Sequence, residues 1–229
     1  MLTLKHTTTH FQEKLEKRLL KQYREFILDQ DHPCVMAKSV FLNDEVTLRN
    51  YHKLGSIDTA EKLIGDLKTF LKKKAAGQTQ FRTFIATFVN QEIESELHFE
   101  ELLWRQLRLL KQCDPAPWDE SVDSNPESEH FSFSLAGKAF YIIGMHPKGS
   151  RKARQTPYPC IAFNLHMQFE ELRSMGVFED VRDRIRSRDK KRHGSINPML
   201  EDFGSSSEAR QYSGRKVGND WKCPFHHGK

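Results

Sequence analysis

Three short runs of aromatic and β-branched residues constrain the fold most, because each has the length of a strand and is bounded by turn-forming residues. The runs are residues 81–89, Lys138–Met145 and Cys160–Leu165. A fourth run, residues 131–135, leads into Ala136-Gly137, a short connection of the kind that joins two strands of a hairpin. The sequence therefore predicts a small sheet that is mostly antiparallel.

Amphipathic helices are predicted between these strands, because apolar residues recur there every three to four positions. The helical segments are residues 10–29, 56–74, 94–113, 168–173 and 178–188. Ser56 precedes one of them as a helix-capping residue. Residues 34–41 are predicted to form a buried loop or a single helical turn. The predicted class is α+β, with the sheet covered by an N-terminal helical layer and further helices.

A single domain over residues 1–229 accounts for the whole chain, because no repeat and no linker divides it. Its first part, residues 1–30, is expected to be the N-terminal helix. Its last part, residues 197–229, has little periodicity and is expected to contribute to a ligand pocket as an irregular segment. A hydrophobic content of 37% with 29% charged residues is typical of a globular protein.

Several classes of protein are disfavoured by composition. No apolar run approaches the roughly 18–20 residues needed to cross a bilayer, and the first ten residues lack the apolar core of a signal peptide, so a cytoplasmic protein is expected. The net charge of +5 falls largely on solvated helices, and no nucleic-acid-binding motif accompanies it, which argues against a nucleic-acid partner. Reduced thiols are expected of the four scattered cysteines, Cys34, Cys113, Cys160 and Cys223.

Two predicted strands end among residues suited to binding an anion. The first ends at Gly144-Met145-His146-Pro147 and is followed by Ser150, Arg151 and Arg154. The second ends at Asn164 and His166, which are two residues apart and would share one face of a strand. The guanidinium fork of arginine pairs with two oxygens of a carboxylate or phosphate, so this cluster predicts an anionic ligand. The common phosphate-loop, dinucleotide, hydrolase and metalloprotease motifs do not occur.

Motifs along most of the chain from about residue 30 resemble those of the YqcI/YcgG family. They are His32-Pro33-Cys34, Phe99-Glu-Glu-Leu-Leu-Trp104, Gly144-Met-His-Pro with Ser150-Arg-Lys-Ala-Arg154, Phe163-Asn-Leu-His-Met-Gln-Phe-Glu170, Ile185-Arg-Ser-Arg-Asp189, Asn197-Pro-Met-Leu with Phe203-Gly204, and Ser207-Glu-Ala-Arg-Gln-Tyr-Ser-Gly-Arg215 through Trp221-Lys-Cys-Pro-Phe225. Together the motifs are specific for membership of a family and much less specific for a function.

The resemblance implies a heme-dependent monooxygenase, because members with an assigned activity are similar to enzymes that N-hydroxylate guanidine groups. It implies heme iron, dioxygen as co-substrate, an external reductant supplied by an electron-donor protein, and a small guanidine or amine substrate. Arg151, Arg154 and Arg215 are the expected partners of the heme propionates, with Asn164 beside them. The alternatives are a non-catalytic protein that binds heme or another small ligand, and a basic adaptor that binds RNA or acidic protein.

The axial iron ligand implied by this resemblance is expected among Cys34, His166 and His146, which are also the expected cofactor contacts. A thiolate favours O–O cleavage, which places Cys34 first, and histidine is the other common ligand. Each also has a structural interpretation, as a buried thiol for Cys34 and as hydrogen-bonded core residues for the two histidines.

Carboxylates for a cationic guanidinium substrate are expected from Glu170, Glu100 and Glu208. All three fall within the segments that carry the resemblance. Each could equally be a solvated charge on a helix or loop.

Overall fold

Five strands form one open, mixed sheet in the computed structural model, which describes residues 2–73, 81–197, 199 and 204–225, with side chains from residue 10 onward. The strands are β1 (Val46–Asn50), β2 (Thr83–Thr87), β3 (Phe133–Leu135), β4 (Lys138–Met145) and β5 (Cys160–Leu165). Their order is β1-β2-β5-β4-β3. All neighbouring pairs are antiparallel except β1 and β2. The predicted α+β class and the mostly antiparallel sheet are confirmed.

Seven α-helices occur in the described part of the chain, and none of them is long and apolar enough to cross a membrane. They are α1 (Leu2–Leu28), α2 (Val35–Leu42), α3 (Ile57–Lys72), α4 (Glu96–Cys113), α5 (His166–Ser174), α6 (Phe178–His193) and α7 (Ala209–Tyr212). The Ser56 hydroxyl accepts a hydrogen bond from the Thr59 N–H at 3.3 Å, which confirms the predicted start of α3. The predicted end of that helix, Lys74, lies outside the described residues.

Strand β1 is the element that sequence analysis missed. Its sequence, Val-Thr-Leu-Arg-Asn, has little apolar character, and only Leu48 is fully buried, as expected of an edge strand. Its parallel pairing with β2 follows from α3, because two parallel neighbours need a crossover and a helix commonly supplies it. The residues predicted as a loop or single turn form the eight-residue helix α2.

The sheet divides the interior into two parts. One face carries an aromatic core against α3, α4 and the C-terminal residues, with Phe84, Phe163, Trp104 and Tyr212 fully buried. The other face packs against α1 and α2 through a smaller cluster that includes Tyr23. Side chains alternate between the two faces along each strand, so successive residues of one strand pack into different clusters.

Candidate functional site

A cavity of about 260 Å³ lies on the face of the sheet opposite the aromatic core. Helices α1, α2, α5 and α6 and the turn Lys152–Arg154 enclose it. The sheet contributes alternate residues, namely Thr83, Ile85, Tyr141, Ile143, Met145, Ala162 and Asn164. Since these share one face, the period-two pattern of the strands builds the floor of the cavity. Helix α6 adds apolar Phe178, Val181 and Ile185 together with charged Arg182, Arg186 and Asp189, and most of the exposed lining surface is apolar.

Arg154 places a buried positive charge in the cavity wall. The residue is 9% exposed and its guanidinium donates to the carbonyl oxygens of Gly144 at 2.8 Å and Gln211 at 3.4 Å. No carboxylate among the described residues forms an ion pair with it. Burial lowers the pKa of Arg154, and nearby Tyr141 and Cys34 oppose this effect. Arginine stays protonated nonetheless, so the wall presents a cation whose hydrogen-bond partners in the described part of the chain are neutral carbonyls.

Cys34 lies at the start of α2 and lines the same cavity. Its Sγ accepts a hydrogen bond from the Ala37 N–H at 3.4 Å, so the side chain caps the helix. Burial raises the pKa of the thiol, and the N–H groups of Ala37 and Met36 and the charge of Arg154 lower it in part. Cys34 is therefore a protonated thiol at neutral pH in the absence of a ligand.

His32 lines the cavity two residues before Cys34 and is 3% exposed. Neither of its ring nitrogens forms a hydrogen bond with a described group. Burial lowers its pKa to about 4, while the neighbouring Ala153 carbonyl favours the protonated form. The imidazole is therefore neutral at physiological pH, with a free electron pair on one nitrogen.

Arg151 also lines the cavity, but its charge is compensated. Its Nη2 donates to Asp189 Oδ2 at 2.6 Å and to the Ser195 carbonyl at 2.7 Å. Asp189 also accepts the Asn197 N–H at 2.9 Å. This buried group joins the loop after β4 to the C-terminal half of α6.

Glu208, His166 and Glu170 come together where α5 begins. Glu208 lines the cavity and is 4% exposed, and burial raises the pKa of its carboxyl to about 8 against hydrogen bonds from Ser132 and Tyr212. His166 lies between the two carboxyls, with Nδ1 3.8 Å from Glu208 Oε1 and Nε2 3.3 Å from Glu170 Oε1. Burial lowers the pKa of His166, and Glu170 opposes it. Glu170 itself is half exposed and pairs with Arg173.

Asn164 lines the cavity floor, and its amide is engaged within the sheet. Its Oδ1 accepts from the Thr83 hydroxyl at 2.7 Å and its Nδ2 donates to the Tyr141 carbonyl at 3.3 Å. The Tyr141 hydroxyl donates to Gln211 Oε1. Burial raises the pKa of Tyr141, and the nearby Glu208 adds to this effect.

The remaining predicted site residues lie outside the cavity lining. His146 is buried and stacks on Phe99 with ring centroids 4.3 Å apart. Burial lowers its pKa to about 4, which Glu96 opposes. Glu100 pairs with Arg215 and accepts the Trp221 indole N–H at 2.7 Å. These contacts of Glu100 connect the C-terminal residues Arg215 and Trp221 to α4.

Sequence reasoning missed His32, Tyr141 and Asp189. His32 belongs to the His32-Pro33-Cys34 motif from which Cys34 was chosen. Membership of that motif was the sequence feature that could have identified it. Tyr141 could have been found from strand alternation, since Ile143 and Met145 follow it at the same period. The described residues contain no group of three or more His, Cys, Asp or Glu side chains placed to hold a bare metal ion.

Comparison with known proteins gives a consistent assignment at the level of the family. The sequence profile described as the YqcI/YcgG family matches residues 23–226. The chain belongs to the YqcI/YcgG family. The matched range begins at Tyr23, the first residue of the cavity lining, and contains every other lining residue.

Two relatives come from Bacillus subtilis (strain 168). The chain is 26% identical over 208 residues to "Uncharacterized protein YqcI", covering 84% of this chain and 80% of the relative. It is 27% identical over 206 residues to "Uncharacterized protein YcgG", with the same coverage of both chains. No solved structure matches the chain.

Proposed function

We propose that this YqcI/YcgG protein is a heme-dependent monooxygenase that N-hydroxylates a small guanidine or related amine compound, with the heme in the cavity. The observation that carries the proposal is the polar lining of that cavity. An imidazole, a thiol and a buried guanidinium that has no ion-pair partner among the described residues lie on walls whose exposed surface is otherwise mostly apolar. Heme needs an axial donor, a cationic partner for its propionates and an apolar enclosure.

The residues that line the cavity fit a heme in their donor chemistry. Arg154 would pair with a propionate, because its two hydrogen bonds go to neutral carbonyls. The iron would be held by His32 or Cys34, the histidine and the cysteine that line the cavity. When bound, heme supplies the activation of dioxygen with electrons from an external reductant.

Uptake of a heme requires the cavity to widen. Its volume of about 260 Å³ lies below the roughly 300–1,000 Å³ of sites that enclose drug-sized ligands. Helix α6 is the wall best suited to move, because it is held to its neighbours largely by polar contacts such as the Arg151–Asp189 pair. The proposal therefore includes an outward shift of α6 on loading.

Glu208 would receive the cationic group of the substrate. Of the three carboxylates predicted for this role, it lines the cavity, whereas Glu100 is occupied by Arg215 and Trp221 and Glu170 is half exposed. The raised pKa of Glu208 keeps its carboxyl neutral at physiological pH when no cation lies beside it. A guanidinium beside it would lower that pKa, so that substrate binding releases a proton. The negative charge of Glu208 would then form only when the guanidinium of the substrate lies beside it.

A hemin titration tests the proposal. Purified protein should bind about one hemin per chain and develop a Soret band, and then turn over a guanidine compound when dioxygen and a reductant are supplied. Iron-free protoporphyrin is the matched control for adsorption to apolar surface. Binding without turnover of any guanidine or amine would favour the non-catalytic alternative. A colourless protein that takes up no hemin would reject both.

A further inference from the structure

His32 is buried, and neither ring nitrogen has a well-formed hydrogen bond with a described residue, although the Ala153 carbonyl lies close to the ring. Its side chain is enclosed at 3% exposure, and both ring nitrogens lack a hydrogen-bond partner among the described residues. Burying a polar group without a partner is costly, and buried polar groups in folded proteins are almost always satisfied. An imidazole left in this state at the wall of a cavity indicates that the cavity's ligand completes it.

The position of His32 is fixed without the use of its ring nitrogens. Its backbone N–H donates to the Asp29 carbonyl at 2.9 Å. Its carbonyl accepts two hydrogen bonds from Arg188, at 3.1 and 3.3 Å. The ring packs edge-on against Phe26 with centroids 5.4 Å apart. Pro33 follows and restricts the backbone of His32. The ring is therefore held in place before any ligand arrives.

The carbonyl of Ala153 lies beside the ring. Histidines that bind a metal through one nitrogen usually donate the N–H of the other to a carbonyl or carboxylate, which fixes the tautomer. Ala153 also lines the cavity. The turn that carries Arg154 thus also supplies a partner of the kind that a metal-bound histidine needs.

The other candidate donors either cap a helix or lie outside the cavity lining. The Cys34 sulfur caps α2 through the Ala37 N–H, so using it as a ligand would sacrifice that cap. His146 is stacked on Phe99 and is absent from the cavity lining. His166 sits between Glu170 and Glu208 and is likewise not part of the lining.

We infer that His32 is the axial ligand of the iron, with the Ala153 carbonyl orienting its ring and Cys34 serving as a helix cap. The inference rests on the proposed heme binding and deepens it. It differs from the thiolate ligand expected from sequence. It also changes the electronic character of the site, because imidazole donates less electron density to iron than a thiolate does.

The test is spectroscopic and needs no substrate. Hemin-loaded wild-type protein, once reduced and exposed to carbon monoxide, should give the absorption spectrum of a heme with an imidazole ligand. The Cys34→Ser variant should give the same spectrum. His32→Ala should lose that spectrum. It should also weaken hemin binding by more than the roughly 10–100-fold that follows when the hydrogen-bond partner of a metal ligand is removed. His32→Gly leaves a space where the imidazole ring stood. Adding free imidazole to this variant should therefore restore the wild-type spectrum. His146→Ala is the matched control, a buried histidine outside the cavity that should not alter it.

The outcomes separate the two levels of the proposal. Hemin binding with a spectrum that survives in His32→Ala, or that changes in Cys34→Ser to lose a thiolate signature, overturns this inference and leaves the proposed function standing. Failure of the wild-type protein to bind hemin overturns both. Rescue of His32→Gly by imidazole supports the assignment even where His32→Ala is poorly folded.

Discussion

Arg151 and Arg154 are three residues apart, yet their guanidinium groups meet different surroundings. Arg151 is neutralised by Asp189, whereas Arg154 contacts two carbonyl oxygens. Sequence alone placed both in one anion-binding cluster, since Asp189, the partner of Arg151, is distant in the chain. The structure assigns the unpaired charge to Arg154, the one better placed to bind an anion.

Arg154→Met is expected to weaken hemin binding. Loss of one charge-assisted contact costs about 1.5–3 kcal/mol, equivalent to a roughly tenfold or larger rise in Kd. The measurement is a hemin titration followed by Soret absorbance. Hemin dimethyl ester is the control, because it lacks charged propionates and should bind wild type and variant alike. An equal loss for hemin and its ester would show that the variant had damaged the cavity itself.

Glu208 makes stability depend on pH. Its pKa in the folded protein is about 8, against the usual 4.5, so the folded state keeps a proton that the unfolded chain releases between these values. The free energy of unfolding should therefore fall as pH rises through this window, relative to Glu208→Gln, by at most about 1.4 kcal/mol per pH unit. Urea unfolding of both proteins from about pH 5 to about pH 8 measures the difference. Parallel pH profiles would contradict the buried neutral carboxyl.

Helix α6 differs from the other walls of the cavity in being highly charged and held in place by polar contacts. Three apolar residues of α6 line the cavity, namely Phe178, Val181 and Ile185. Three charged ones, Arg182, Arg186 and Asp189, line it as well, and most of the rest of the helix is charged. Polar links hold it in place, from Asp189 to Arg151, from Arg188 to the carbonyls of residues 30 and 32, and from Arg192 to Asp29. A wall held in this way opens at a lower cost than one buried in an apolar core.

Asp189→Asn is expected to loosen α6. It leaves Arg151 buried without its counter-charge, which typically costs about 3–5 kcal/mol. Hydrogen exchange should become faster across α6 and slower again on hemin loading. Asp183→Asn is the control on the same helix, because the Asp183 carboxylate is 65% exposed and its pair with Arg182 is screened by solvent, so its loss should change little. Equal effects of the two substitutions would show that the buried pair is not what holds the helix.

Across the molecule, secondary-structure elements were predicted from sequence more successfully than the tertiary contacts between them. Strands β2, β4 and β5 and the long helices were predictable, because periodicity and capping are local signals. The positions of His146 and His166 were not. His166 is the first residue of α5, so the alternation that would have placed it with Asn164 no longer applies. The pairing of Glu100 with Arg215 joins residues far apart in the chain and has no local signal.

The alternation along β4 has a consequence for how such a chain can change. Tyr141, Ile143 and Met145 face the cavity, while Ile142 and Gly144 face the aromatic core. A Cβ on Gly144 would come within 2.7 Å of Phe99 and of the Tyr212 carbonyl, so that position tolerates no larger residue without repacking. Ile143 and Met145 pack in the smaller cluster instead of the aromatic core, and Tyr141 reaches the core side through its contacts with Gln211 and Tyr212. A descendant lineage, or a library built in the laboratory, can therefore vary one set of positions to accept new molecules while the other set preserves the architecture.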